Sequence, residues 1–119
     1  KDQLRAQLAP EVERMLSDWR ARTLTENFTG QWLQLRDLAN INPDYERFKP
    51  FYRVQYDLKR ETETFFENLI VENRPVLDLL NGDYTFLNER LASYYNLNDL
   101  KVKGDRLQKV SLAGTPRGG

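Results

Sequence analysis

The strongest constraint on this chain is a run of apolar side chains at helical spacing between residues 18 and 39. Ala21, Leu24, Phe28, Trp32, Leu35 and Ala39 recur at three- and four-residue steps, which places them on one face of a helix. Leu33 and Leu38 widen that face, so the spacing predicts a central helix over about 18–39 with Trp32 in the core. Gly30 lies in its middle, where glycine costs up to about 1 kcal/mol relative to alanine. A close helix neighbour on that face would offset the loss.

The flanking segments obey the same logic. Leu4, Leu8, Val12 and Leu16 are four apart and predict a helix over 2–16, with Pro10 kinking it or dividing it in two. Ser17 or Asp18 can cap the central helix. Asn42-Pro43-Asp44 signals a turn in a loop over 40–50. Val54, Leu58, Phe65 and Leu69 then mark a long helix over about 51–72, leaving Glu61, Glu63 and Glu67 to its solvated face. Pro75 suits the start of a short helix over 76–80, which Asn81-Gly82 stops. Asp83 or Thr85 can cap a last helix running to about Tyr95, with Tyr84, Leu87, Leu91 and Tyr94 or Tyr95 inward. Beyond Asn96 the helical signal fades: 101–112 has room for one or two short strands, and 114–119 reads as linker. The expected fold is all-α, a small bundle of four to five helices over 1–97. Residues 98–119 are expected to be a short extended tail and linker toward a following domain. Trp32, Phe65 and Leu91 are expected to meet in one dry interior.

Several function classes lose their chemistry at once. The chain has no cysteine and no histidine, which removes disulfides, thiol nucleophiles, imidazole or thiolate metal ligands, haem attachment and histidine-based triads. Eighteen basic and eighteen acidic residues balance, so net charge gives no reason to expect nucleic acid as partner. The local exception is the tail, where Lys101, Lys103, Arg106, Lys109 and Arg117 face only Asp105, the pattern of a solvated basic end or a linker, with a phosphate-binding strip as the alternative. No apolar run reaches membrane-spanning length. No glycine-rich phosphate loop, nucleophile elbow or metal-spaced cluster is present, so no catalytic, metal or cofactor residue is assigned.

The densest polar stretch runs from Asp83 to Leu91. Asp83, Asn88 and Arg90, joined by Glu61 from the long helix, form the candidate binding cluster. The structural alternative has Asp83 or Thr85 capping, Asn88 tying to the preceding loop and Arg90 pairing with an acid such as Glu61. Glu63 and Glu67 can share a helix face, but without histidine they make no di-iron set. Arg36-Asp37 beside Trp32 has the makings of a sugar-friendly surface, although an arginine ending a helix also suits the dipole.

Four motifs then occur in a familiar order. Phe28-Thr29-Gly30-Gln31-Trp32-Leu33-Gln34-Leu35-Arg36-Asp37-Leu38 comes first, then Arg60-Glu61-Thr62-Glu63-Thr64-Phe65-Phe66. Val76-Leu77-Asp78-Leu79-Leu80 and Asp83-Tyr84-Thr85-Phe86-Leu87-Asn88-Glu89-Arg90-Leu91-Ala92 complete the set. From about Met15 to Tyr95 the chain resembles the helical domain of unknown function in large planctomycete-type secreted proteins (the PSD/PSCyt type) that also carry cytochrome c-like domains. Arg117-Gly118-Gly119 resembles the approach to the next domain of such proteins. Tyr94 stands where the family often has histidine and Asn96 where it often has glycine, so any ligand or proton role of that histidine is absent here. The resemblance implies an extracytoplasmic parent, periplasmic or secreted, with haem in neighbouring domains and none here. The expected function is a non-catalytic interaction or scaffold module packing on neighbouring domains of the same polypeptide. The alternative is a ligand-binding or enzymatic domain, polysaccharide-related, that uses Glu61, Asp83, Asn88 and Arg90.

Overall fold

The structure, a computed structural model, describes residues 2–117 and the side chains from Gln7 onward. The Leu4 side chain and the Gly118-Gly119 end, both part of the expectations above, lie outside the described residues. Five helices are described: α1 (Asp2–Leu16), α2 (Ala21–Trp32), α3 (Tyr45–Val71), α4 (Asp78–Asn81) and α5 (Glu89–Tyr94). Two strands, β1 (Tyr84–Leu87) and β2 (Gln108–Ser111), pair antiparallel with Tyr84 opposite Ser111 and Leu87 opposite Gln108. The chain is mainly helical but not strictly all-α. Tyr-Thr-Phe-Leu combines aromatic and β-branched residues that favour a pleated surface, and pairing with β2 overrides the helical reading of the first part of 83–95, while Glu89–Tyr94 are helical as α5. The strand expected within 101–112 is β2.

α1 runs through Pro10 as one helix. Residues 7–15 are all exposed. Its apolar stripe finds little cover: Leu8, Val12 and Met15 are exposed and Leu16 is half-buried.

α2 is shorter than the spacing predicts and faces inward with a different side. Thr25, Thr29 and Gly30 are its buried residues, while Leu24, Phe28 and Trp32 are exposed. The threonine hydroxyls bond back to the carbonyls four residues earlier, Thr29 to Thr25 at 2.8 Å and Thr25 to Ala21 at 3.3 Å. Satisfied this way, small polar side chains can sit against α3. Trp32 is 56% exposed and touches the body at its rim, its ring 5.5 Å from Phe28 and 6.3 Å from Phe66. The core position expected for Trp32 is therefore corrected. Gln34 takes a left-handed backbone (φ 53°) just beyond the end of the helix. Arg36 folds back over Gly30, where a Cβ would stand 3.3 Å from its side chain, and donates to Asn27 Oδ1 at 2.7 Å. The glycine makes room for that arginine rather than for a neighbouring helix.

α3 begins at Tyr45 because Asp44 caps it, Oδ1 accepting from the Arg47 N–H at 3.0 Å. Pro50 is carried inside it with a backbone irregularity at Phe48. The inward face carries Val54, Asp57, Leu58, Glu61, Phe65 and Leu69. The solvated acidic face expected for this helix is corrected as well: Glu61 and Glu63 are buried and Glu67 is half-buried.

The core gathers at one end of the molecule. Val54, Leu87, Leu91, Ala92, Leu97, Val102 and Leu112 are buried together, with Leu58, Tyr95 and Leu107 packed on them. Residues beyond 97 thus supply Val102 and Leu112 to it. The molecule is elongated, 62 × 34 × 24 Å, with a radius of gyration of 17.1 Å against roughly 13–14 Å for a compact domain of this length. Leu91 is fully buried, Phe65 half-buried and Trp32 exposed, so the single shared interior does not form. None of the described helices is long and apolar enough to cross a membrane.

Candidate functional site

A groove of about 500 Å³ opens between the end of α2, the middle of α3, α4 and β1. Its walls are apolar, with Trp32, Leu38, Leu58, Phe65 and Leu79 among them. Among the described residues one carboxylate lines it, that of Glu61, and one cation, Arg117. Glu61 projects from α3 toward β1 and α5, one turn after Asp57 on the same face.

Two hydroxyls hold that carboxylate. Thr85 Oγ1 donates to Oε1 at 2.6 Å, and the Tyr95 hydroxyl donates to Oε2 at 2.6 Å. Arg117 brings Nη2 to 3.5 Å from Oε1 and lays its guanidinium over the Tyr95 ring, 3.6 Å from the centroid. Burial, and then the hydrogen bond and negative charge of Glu61, push the Tyr95 phenol well above its ordinary pKa. It stays a donor across the physiological range. The neighbouring Tyr84 stacks on Phe65 at 4.9 Å and carries Lys109 Nζ 4.4 Å from its ring centre.

The four residues singled out from sequence do not form one cluster, although Asn88 and Arg90 both bond to Asp105. Glu61 is at the groove. Arg90 faces Asp57 instead, Nε to Oδ2 at 2.7 Å and Nη2 to Oδ1 at 3.2 Å, and adds Asp105 through Nη1 at 2.7 Å. The Asp57 hydrogen bonds raise the Arg90 pKa further. Asn88 is fully buried and caps α5: Oδ1 accepts from the Leu91 N–H at 2.9 Å, and Nδ2 donates to the Asp105 carbonyl at 3.4 Å. Asp83 is exposed, and its carbonyl accepts from the Leu112 N–H at 2.8 Å. Arg36 is bonded to Asn27 Oδ1.

Sequence reasoning missed Asp57, Thr85, Tyr95 and Arg117 as groove or network residues. Asp57 and Glu61, four apart on one helix, carried a signal. Arg117 carried none, because only the folded tail brings it within reach.

Chemically the groove is suited to recognition. Glu61 is a fixed acceptor with three donors around it, and the buried Asp57 carboxylate one turn earlier is tied up by Arg90. Among the described residues no group of three or more histidine, cysteine or acidic side chains could hold a metal ion. No curated protein and no solved structure matches the chain. A family profile described as PSD4, a protein of unknown function (DUF1592), matches residues 1–97. With that match spanning most of its length and joining the α-rich body to β1 and α5, the chain belongs to the PSD4 (DUF1592) family.

Proposed function

We propose that this chain is a non-catalytic interaction module that packs on a neighbouring domain of a larger secreted polypeptide carrying cytochrome c-like domains. The supporting observation is the apolar surface beside the groove. Phe28, Trp32 and Leu33 at the end of α2, and Val76, Leu77 and Leu80 around α4, are all exposed. Trp32, Leu33 and Leu80 line the groove itself, and exposed apolar residues gathered at a groove favour an interaction site. The resemblance to planctomycete-type secreted proteins supports the extracytoplasmic setting and the haem-bearing neighbours. On this reading 98–119 lead toward the next domain, anchored through Val102 and Leu112. An enzymatic role on polysaccharide through Glu61, Asp83, Asn88 and Arg90 has less support, since capping and ion pairing already engage Asn88 and Arg90.

Hydrogen–deuterium exchange tests the reading by comparing the 119-residue chain alone with the polypeptide that contains it. Residues 28–35 and 76–82 are expected to exchange more slowly in the larger protein. Equal exchange in both would remove the docking function.

A further inference from the structure

The groove ends in a cation site already filled by a residue of this chain. The Thr85 and Tyr95 hydroxyls fix the Glu61 carboxylate, whose side chain is only 9% exposed. The carboxylate at one end and the Tyr95 face at the side suit a flat guanidinium better than a compact ammonium. Arg117 sits there with its side chain 37% exposed. Its backbone is held by Thr115, whose hydroxyl lies 3.0 Å from the Arg117 carbonyl and 2.8 Å from that of Leu112. Next to the guanidinium the groove stays open, with Leu35, Leu38, Leu58 and Leu79 half-buried along it. A single buried carboxylate in an otherwise apolar groove is complementary to a peptide with one cation among apolar residues.

We propose that Glu61, Thr85 and Tyr95 form an arginine-recognition site, and that a partner segment carrying an arginine flanked by apolar residues docks in the groove by displacing Arg117. The proposal rests on the interaction-module reading and gives that module's partner its chemistry. Arg117 is then a tethered competitor. A short tether sets a high effective concentration, so the tail lowers the apparent affinity of any outside arginine by the fraction of time it fills the site.

The test uses acetyl-Leu-Arg-Leu-amide and the same peptide with citrulline, the neutral isostere of arginine. Trp32 lines the groove and reports occupancy by fluorescence, with Trp19→Phe removing the other indole. In the Arg117→Ala chain the arginine peptide is expected to bind on the order of tenfold more tightly than in the wild type. The citrulline peptide is expected to bind at least tenfold more weakly than the arginine one, as loss of a charge-assisted pair requires. Glu61→Gln added to Arg117→Ala should erase that preference. Circular dichroism checks folding, and the citrulline comparison needs no further variant. Equal binding of the two peptides, or binding of neither to a folded Arg117→Ala chain, overturns the arginine site. If exchange protection of 28–35 in the larger protein persists in that event, the docking function stands and only its proposed chemistry falls.

Discussion

Arg90 of α5 grips Asp57 of α3 at two points, 2.7 Å from Nε and 3.2 Å from Nη2, and so ties the last helix to the longest one. The pair is lopsided: the Asp57 side chain is 8% exposed and that of Arg90 48%. Loss of the bonds therefore matters most through the acid, a buried charge that needs its donors. Arg90→Ala, which leaves that acid without its fork, is expected to lower the urea-unfolding midpoint more than Asp57→Ala, which removes the buried charge along with the bonds. Arg90→Lys should also lower the unfolding midpoint, because an ammonium cannot reproduce the two-point fork. An unchanged midpoint for the lysine variant would mean that the fork contributes nothing beyond charge.

Gly82 is required by space rather than by an unusual backbone angle. Its φ is −65°, open to any residue, yet a Cβ there would stand 2.7 Å from the Asp78 carbonyl oxygen and 3.3 Å from Phe65 Cζ. The backbone oxygen cannot move without disturbing the Gly82 N–H bond to it at 3.0 Å. Gly82→Ala is expected to destabilise by about 1–3 kcal/mol, the usual range for forced overpacking. Thermal unfolding of the variant checks this.

Periodicity makes α3 readable, and the Asn42-Pro43-Asp44 turn marks its beginning. The helix starts at Tyr45 rather than Phe51 because its early turns absorb Pro50. α2 is legible as a helix but not in its facing. Thr25 and Thr29 look polar in sequence, yet their hydroxyls return to the backbone and leave small side chains to pack. β1 is hidden because its partner lies across α5 and the loop after it, a non-local pairing that no short window contains. Glu61 stands out in the sequence, but its partner does not. Arg90 reaches Asp57, one turn earlier on the same face, while Glu61 receives Tyr95 and Arg117 from distant parts of the chain.

The contrast between Leu91 and Trp32 separates folding from docking. Leu91 is fully buried in the core cluster, and Leu91→Ala is expected to cost about 2–5 kcal/mol. Trp32 keeps over half its surface in water and packs only at a rim with Phe28 and Phe66. Trp32→Ala should cost about 1 kcal/mol in the isolated chain, the scale of one aromatic pair. Denaturant unfolding of both variants measures the difference. If Trp32→Ala proved as damaging as Leu91→Ala, the exposed face would be part of the core and not a docking surface.

Tyr95 gives the chain an alkaline limit of its own. Burial, and then the hydrogen bond to the Glu61 carboxylate, favour the protonated phenol in the folded state and raise its pKa above the ordinary 10.0. A raised folded-state pKa means that the stabilisation is complete below pH 10.0 and declines as pH rises from there through the folded value. One differential proton sets a ceiling of about 1.4 kcal/mol per pH unit, and partial solvent exposure of the ring narrows the pH range over which it acts. The diagnostic is the difference between the wild type and Tyr95→Phe. The phenylalanine variant is expected to be less stable at neutral pH and to lose stability less steeply above pH 10. Arg117 works in the opposite direction, its positive charge lowering the Tyr95 pKa. Arg117→Ala should therefore steepen or extend the alkaline loss, and the same substitution made on Tyr95→Phe should leave the pH profile unchanged. Parallel profiles for all the variants would show that Tyr95, Glu61 and Arg117 do not act as one coupled group.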